Sequence, residues 1–337
     1  MRVSLNALSL RPDGAGVSTY VRELLHALPD EWQRSCSALV QDDAVGELPA
    51  AVAVRTVTPR AGAGRAVSGA LLTSAAGELV HGLDVDLPLH RRGPLVTTVH
   101  DLSVFDAPWA FAGARVRGER ALVRHALRRA DVVLAVSDFT AERVRALFGR
   151  RSVVTRLAPA RDMLPPAPDA VEQVRRRYGL PPRFVLHVGT VEPRKDLPRL
   201  ADACRDAGLP LVLAGGGPSD YLPGHVRRLG FVPRSELPAL FAASTVTAYV
   251  SLYEGFGLPP VEALACGANV VSTRVADLPE LLGDSVTWTS DHGIASLTSA
   301  LRHAASDPPE HLAPTLKWQD TAQQTVQVYA DLGACPA

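Results

Sequence analysis

The chain has 337 residues, 47% hydrophobic and 21% charged, which favours two globular domains of about 150 residues and excludes a disordered chain. Its formal net charge is zero, which argues against a nucleic-acid-binding protein, although a local basic site can still hold a small anion. The four cysteines (Cys36, Cys204, Cys266 and Cys335) lack metal-site spacing and indicate a reducing, cytoplasmic compartment. We find no apolar run of the length that a membrane span needs and no signal peptide, because the first residues read as a strand.

Short apolar runs alternate with amphipathic stretches along the chain, a pattern typical of βα units that build a doubly wound parallel sheet. The predicted strands are 2–8, 95–99, 132–136, 183–188, 211–214, 245–250 and 269–272. The predicted helices are one that follows Gly16 and others at 114–129, 138–148, 197–206, 292–305 and about 317–332. The fold class is therefore α/β.

A proline-rich stretch at 158–168 interrupts this pattern and is interpreted as a linker between two Rossmann-like domains. We predict an N-terminal domain over 1–160 and a C-terminal domain over 161–315. The final segment, 316–337, is predicted to carry a helix that returns to the first domain. A ligand is expected at the carboxyl ends of the strands of both sheets.

Residues 251–267 carry the clearest chemical signal, Ser-Leu-Tyr-Glu-Gly-Phe-Gly-Leu-Pro-Pro-Val-Glu-Ala-Leu-Ala-Cys-Gly. A strand runs into a glycine-containing turn, and the two prolines suit the first turn of a helix. Free amides at Gly257 and Leu258 would point along the helix axis and can bind a phosphate. Glu254 on the turn and Glu262 in the helix could accept hydrogen bonds from two different sets of sugar hydroxyls. The alternative is a capped helix in which Glu262 only balances the helix dipole.

This segment resembles the retaining glycosyltransferases of family 4, which have the GT-B fold, and the resemblance follows the whole chain in order. It implies that Glu262 binds the ribose of a nucleotide and that Glu254 contacts the donor sugar. The backbone of Gly255, Phe256, Gly257 and Leu258 would lie near the sugar and the phosphates.

The segment His187-Val-Gly-Thr-Val-Glu-Pro-Arg-Lys-Asp-Leu197 follows a strand and opens the next helix. Arg194 and Lys195 can neutralise a diphosphate, the arginine as a fork and the lysine as a point charge. Lys195 is one of only two lysines in the chain, with Lys317. Many relatives have Gly-Arg where this chain has Gly189-Thr190, so more of the phosphate binding is expected to fall to Arg194 and Lys195.

Three further stretches match the family's ligand-facing loops. Gly14 and Gly16 lie between the first strand and the first helix; they would face the donor phosphate or the acceptor, and a structural tight turn is an equal alternative for Gly14. His100 ends a strand and would contact the donor sugar; Asp101 beside it would either join the site or cap the next turn. Backbone groups around Phe231 and Val232 would read the base, and the glycines of the Gly215-Gly216 loop would allow the nucleotide to pass closely.

Two other patterns are interpreted as non-functional. Asp84-Val-Asp86 is a D-x-D, the metal motif of the other large glycosyltransferase fold, and arises readily by chance. The arginines Arg117, Arg120, Arg124 and Arg128 lie on one helical face and could contact a membrane or an anionic acceptor; we favour a solvated face. Ser137-Asp138 is predicted to be a helix cap.

We therefore predict a hexosyltransferase of carbohydrate or natural-product biosynthesis. It would move a sugar from a nucleotide diphosphate sugar to a glycan, lipid-linked or small-molecule acceptor, without a metal or other cofactor, and with retention by front-face transfer. The resemblance implies that Glu254 holds the sugar rather than attacking it, and nothing in the sequence clearly supplies the carboxylate pair of a retaining glycosidase. A nucleotide-sugar 2-epimerase, a pseudo-glycosyltransferase and a nucleotide-sugar-binding scaffold stay as alternatives. NAD chemistry is disfavoured, since the first βα turn lacks the third glycine and a clear acidic ribose ligand.

Overall fold

The computed structural model describes residues 1–14, 16–58, 62–70, 77–90, 92–218, 222–310 and 312–336. Its strands are β1 (Val3–Asn6), β2 (Cys36–Gln41), β3 (Ala53–Val57), β4 (Leu79–Gly82), β5 (Leu95–Val99), β6 (Val132–Ala135), β7 (Val153–Val154), β8 (Val185–Val188), β9 (Leu211–Ala214), β10 (Arg227–Gly230), β11 (Val246–Tyr249), β12 (Val270–Ser272) and β13 (Thr287–Trp288).

The helices follow the strands in the order expected of βα units. They are α1 (Val17–Ala27), α2 (Asp30–Ser35), α3 (Gly62–Ala70), α4 (Ser103–Asp106), α5 (Gly113–Arg129), α6 (Asp138–Phe148), α7 (Pro168–Tyr178), α8 (Leu197–Ala207), α9 (Leu237–Ala243), α10 (Leu258–Ala265), α11 (Leu278–Leu282), α12 (Ile294–Ser306) and α13 (Trp318–Asp331).

The chain divides into two compact units, residues 1–157 with 316–337, and residues 158–315. The first contains a parallel sheet in the order β3-β2-β1-β4-β5-β6-β7, and the second a parallel sheet in the order β10-β9-β8-β11-β12-β13. In each sheet the order in which strands are added changes sides once, between β1 and β4 in the first sheet and between β8 and β11 in the second. The predicted doubly wound α/β class is confirmed.

Each sheet is buried because its central strands are continuous apolar runs with helices on both faces. In the first unit the core joins Val80, Leu95, Val99 and Val133 to the buried face of α5. In the second, α8 and α12 pack on the sheet through Leu197, Leu200, Leu297 and Leu301, among others. These rigid sheets fix where the loops at the strand ends begin.

The chain passes from the first unit to the second at residue 158 and returns to the first at residue 316. Residues 158–167, within the stretch predicted as a linker, form turns before α7 begins with Pro168 at its first position, where the missing N–H costs no helical hydrogen bond. The final helix, α13, packs against α1, and its Tyr329 hydroxyl lies 2.6 Å from Nδ1 of the buried His81 in β4. Residues 316–337 therefore contribute to the core of the first unit.

Candidate active site

In the second unit, the loops that follow β8 and β11 lie on either side of the point where the strand order reverses. In open parallel sheets the ligand crevice forms at this switch point, outside the carboxyl ends of the strands. The β8 loop carries Arg194 and Lys195, and the β11 loop carries Glu254. A backbone hydrogen bond from Leu252 N to Arg194 O, 2.8 Å long, joins the two loops.

The carboxylate of Glu254 contacts both predicted phosphate-binding cations. Its Oε2 lies 2.6 Å from Arg194 Nη1, and its Oε1 accepts a hydrogen bond from Lys195 Nζ. Three charged side chains predicted as site residues thus form one buried cluster, with side-chain exposures of only 14% for Arg194, 7% for Lys195 and 9% for Glu254.

Arg194 is fixed by further contacts around its guanidinium. Nε donates to Glu192 Oε2 at 2.9 Å, and Nη1 donates to the carbonyl oxygen of Tyr253 at 3.1 Å. The guanidinium is therefore held in one orientation by two acidic side chains and one backbone group. These contacts do not use the two N–H groups on Nη2, which this immobilised guanidinium can donate to an oxyanion.

Lys195 lies against an aromatic side chain that the sequence analysis did not identify. Its Nζ donates to the hydroxyl of Tyr249 at 3.3 Å and lies 4.7 Å from the centre of the tyrosine ring. His187 stacks parallel to that ring at 6.4 Å, with its Nδ1 donating to Ala248 O at 3.0 Å. An ammonium has three donors, and among the residues that the structure describes Glu254 and Tyr249 take two of them, so the third can bind a ligand.

The electrostatics of the cluster keep Glu254 ionised. Burial alone would raise the pKa of Glu254, but the charges and hydrogen bonds of Lys195 and Arg194 outweigh it and lower the pKa to about 2. Burial, followed by the charge of Glu254, holds the pKa of the Tyr249 hydroxyl well above its usual value. Tyr249 is therefore neutral, and the carboxylate stays charged at any physiological pH.

After Glu254 the chain turns into α10 as the sequence predicted. Gly257 has φ +102°, and a Cβ there would lie 2.9 Å from a methyl of Leu278, so the position requires glycine. Pro259 and Pro260 lie in the first turn of α10 and have no N–H groups. The Leu258 amide, at the first position, has no acceptor within the helix. Glu262 follows within α10 and is buried. The binding roles predicted for Gly255–Leu258 and Glu262 stay predictions.

Glycines shape the neighbouring ends of β8 and β9. Gly215 N donates to Gly230 O at 2.7 Å, and Gly189 N donates to Ala214 O at 2.9 Å. A Cβ on Gly215 would lie 2.0 Å from Gly189 O, while one on Gly216 would meet nothing within 4 Å. Beyond β10, Phe231 is 54% exposed and Val232 is buried. The nucleotide roles of these four residues stay predictions.

The remaining candidates, Gly14, Gly16, His100 and Asp101, belong to the first unit. A Cβ on Gly14 would lie 2.0 Å from Ser18 Oγ, so close packing against Ser18 favours glycine at this position. Gly16 has φ +57° and precedes the first turn of α1. His100 Nε2 lies 2.9 Å from Leu83 O, which it can approach only as a donor, and its ring makes an edge contact with Tyr20. Asp101 Oδ1 accepts a hydrogen bond from Ser103 N at 2.9 Å. This is the contact expected if Asp101 caps the next turn.

No binding role was predicted for the D-x-D motif, the α5 arginines or Ser137. Arg65 lies 3.4 Å from Asp84 Oδ2 and 3.2 Å from Asp86 Oδ2, so the D-x-D carboxylates share an arginine. Arg120 and Arg124 each lie 5.2 Å from the ring centre of Phe105, and Arg117 and Arg128 are exposed. Ser137 Oγ accepts from Thr140 N at 2.9 Å, which confirms the predicted cap of α6.

Comparison with known proteins decides the family. Residues 14–159 match the family described as Glycosyltransferase Family 4, and residues 171–317 match the family described as Glycosyl transferases group 1. The O-antigen chain mannosyltransferase B of Escherichia coli is 34% identical over 281 residues, 74% of this chain and 74% of that protein. The chain belongs to glycosyltransferase family 4.

Other relatives are consistent with this family assignment. A D-inositol 3-phosphate glycosyltransferase of Nocardiopsis dassonvillei is 30% identical to this enzyme over 72% of the chain and 66% of its own length. Among solved structures, Anabaena HepE in complex with UDP and glucose has a TM-score of 0.69 at 18% identity, covering 98% of this chain and 99% of HepE. The two Rossmann-like sheets of this glycosyltransferase are thus those of the GT-B fold.

Two features are absent from the described residues, a metal site and a membrane-spanning helix. No grouping of three or more histidine, cysteine, aspartate or glutamate side chains there has a metal-binding arrangement. None of the helices in those residues is both long enough and apolar enough to pass through a bilayer.

Proposed function

We propose that this glycosyltransferase moves a sugar from a nucleoside-diphosphate sugar to an acceptor hydroxyl, with retention of configuration and without a metal ion. The convergence of Arg194, Lys195 and Glu254 at the switch point of the second sheet carries the proposal. Two fixed cations provide the charge that a diphosphate needs, and a carboxylate beside them can accept hydrogen bonds from sugar hydroxyls.

The reaction we propose takes place on one face of the sugar. The bond from C1 to the diphosphate oxygen breaks while the acceptor oxygen bonds to C1 on the same face, and the acceptor proton passes to the departing phosphate. Arg194, Lys195 and the Leu258 amide stabilise the negative charge that grows on the leaving group. Glu254 holds the sugar and takes no proton, which agrees with a pKa of about 2.

The preferred donor is proposed to be GDP-mannose. The E. coli relative is named a mannosyltransferase, and a relative from Mycolicibacterium smegmatis, 34% identical over 56% of this chain and 57% of its own, is named GDP-mannose-dependent. The acceptor is proposed to be a glycan, a lipid-linked sugar or a small polyol. The α5 arginines are proposed to form a solvated face, and the protein is proposed to be cytoplasmic.

A thermal-shift panel of GDP-mannose, UDP-glucose, UDP and GDP tests the proposal. A ligand present at 100 times its Kd raises the free energy of unfolding by about 2.7 kcal/mol, which shifts the melting temperature clearly. We expect at least one sugar nucleotide to stabilise the protein, and turnover of that donor to persist in EDTA. No stabilisation by any of them would contradict the proposal, and turnover abolished by EDTA and restored by Mn²⁺ would refute metal independence. Products are also analysed in a reaction without acceptor, where an epimerised nucleotide sugar would identify a 2-epimerase instead.

A further inference from the structure

Without a donor, both cations assigned to the diphosphate are already paired with the carboxylate assigned to the sugar. Both oxygens of Glu254 are engaged, one with Arg194 and one with Lys195, and Arg194 also pairs with Glu192. Two positive and two negative side chains thus meet in one small, largely buried cluster. A diphosphate binding here therefore meets cations that already have a partner.

We propose that Glu254 acts as a built-in counter-ion that weakens the binding of sugar-free nucleoside diphosphate and so makes the site discriminate the donor from the product. This inference rests on the proposed function, and it gives Glu254 a role beyond holding the sugar. The residue would act on both substrate affinity and product release.

The first step is electrostatic. A diphosphate bound to Arg194 and Lys195 is attracted by both, and repelled by the carboxylate that touches both. In a site this buried, the effective dielectric constant is about 20, so a unit charge a few ångströms away changes the interaction by kilocalories per mole. Since the pKa of Glu254 is about 2, protonation cannot relieve this repulsion near neutral pH.

The second step concerns the sugar. Sugar hydroxyls are hydrogen-bond donors, and an ionised carboxylate is an acceptor with several open lone pairs. An intact donor therefore offsets the repulsion of its phosphates by hydrogen bonds to Glu254. The product has lost those hydroxyls, so nothing offsets the repulsion between its phosphates and Glu254. The same carboxylate thus favours the donor and disfavours the product.

Calorimetric titration of Glu254→Gln tests this. The probes are GDP with GDP-mannose, and UDP with UDP-glucose. Glutamine keeps the size of the side chain and removes its charge. We expect the variant to bind the free diphosphate of the preferred pair about 10-fold more tightly than wild type, and its sugar nucleotide no more tightly. Turnover of that donor should fall.

Glu236→Gln is the matched control. Glu236 lies in the same unit and accepts from Arg177 Nη1 at 2.5 Å and from the Tyr178 hydroxyl at 2.6 Å, so the same charge is removed from a comparable pair outside the site. We expect its affinities for all four probes to equal those of wild type. A similar tightening in this control would mean that net charge, rather than the place of Glu254, sets the affinity, and would overturn the inference.

The outcomes separate this inference from the proposed function. If Arg194→Ala and Lys195→Ala weaken diphosphate binding but Glu254→Gln leaves it unchanged or weaker, the counter-ion role is overturned and the cation assignment stands. If wild type binds none of the probes, the proposed function itself fails, and the inference with it.

Loss of Glu254 leaves a buried ammonium without its main partner, which can prevent folding. In that case the comparison is made in the Lys195→Met background, where no such ammonium remains. Glu254→Gln should still tighten diphosphate binding there, because the carboxylate also pairs with Arg194. Equal affinities of Lys195→Met and the double variant would overturn the proposal.

Discussion

At the scale of single residues, Gly215 shows why a loop glycine is required for structure as well as for any ligand. Its backbone has φ +145°, and a Cβ would lie 2.0 Å from Gly189 O, which is backbone at the end of the central strand β8. Backbone cannot move aside as a flexible side chain can. The ends of β8 and β9 therefore approach each other this closely only because residue 215 carries no Cβ.

We predict that Gly215→Ala lowers the free energy of unfolding by about 2–3 kcal/mol, since overpacking and an unfavourable backbone conformation combine. The neighbouring Gly216→Ala is the control, because a Cβ there meets nothing within 4 Å and its φ is ordinary. Urea denaturation of both variants measures the difference. Equal stabilities of the two would show that the strand ends do not pack as described.

Also at this scale, the sequence predicted which residues of the second unit carry charge at the site, but not how they pair. Spacing and residue type pointed to Arg194, Lys195 and Glu254. That one carboxylate contacts both cations depends on how two loops, about 60 residues apart in the chain, fold onto one sheet edge. Tyr249 was missed because a tyrosine at the end of an apolar strand looks like core, and its contact with Lys195 becomes visible only in the structure.

At the scale of elements, the sequence found most of the apolar strands but not those at the sheet edges. All seven predicted strands are present, with ends differing by at most two residues. Six strands were missed. Four are the edge strands β3, β7, β10 and β13, of which β7 and β13 have two residues each and β10 reads Arg-Arg-Leu-Gly. The other two, β2 and β4, are buried strands on either side of β1. An edge strand is held by one neighbour and needs no continuous hydrophobic run, so composition alone does not reveal it.

The helix α13 is fixed to the first sheet by a buried polar chain. The Tyr329 hydroxyl meets His81 Nδ1 at 2.6 Å, His81 Nε2 lies 2.9 Å from Thr98 Oγ1, and Thr98 Oγ1 lies 2.9 Å from the Tyr20 hydroxyl. Burial, and then the nearby His100, lowers the pKa of His81 to about 3, so its ring is neutral. One ring nitrogen therefore donates and the other accepts.

We predict that Tyr329→Phe lowers the free energy of unfolding by about 1–3 kcal/mol, because it leaves a buried nitrogen of His81 without its partner. Tyr178→Phe removes a hydroxyl that meets Glu236 nearer the surface, and it should cost less than about 1 kcal/mol. Chemical denaturation followed by circular dichroism compares the two. If the Tyr329 variant is no less stable than the Tyr178 variant, the buried chain does not hold α13 in place.

At the scale of the whole molecule, one architecture is used twice. Both sheets place the first strand of the unit beside the fourth, counted along the chain, and each reverses its order there. The sequence predicted this class from the alternation of apolar runs and amphipathic helices. The donor sugar, the base and the acceptor do not follow from that pattern, because loop side chains rather than strands select them.

The central claim is that the charged cluster of the second unit carries sugar transfer, and the two lysines of this chain provide its most direct test. Lys195 lies in the cluster, whereas Lys317 is exposed just before α13. The measurement is the turnover of the donor identified by the thermal-shift panel, for Lys195→Ala and Lys317→Ala at matched concentration. We predict a loss of at least about 100-fold for Lys195→Ala, equivalent to about 2.7 kcal/mol of transition-state stabilisation, and wild-type turnover for Lys317→Ala. Wild-type turnover in a folded Lys195→Ala protein would contradict the claim.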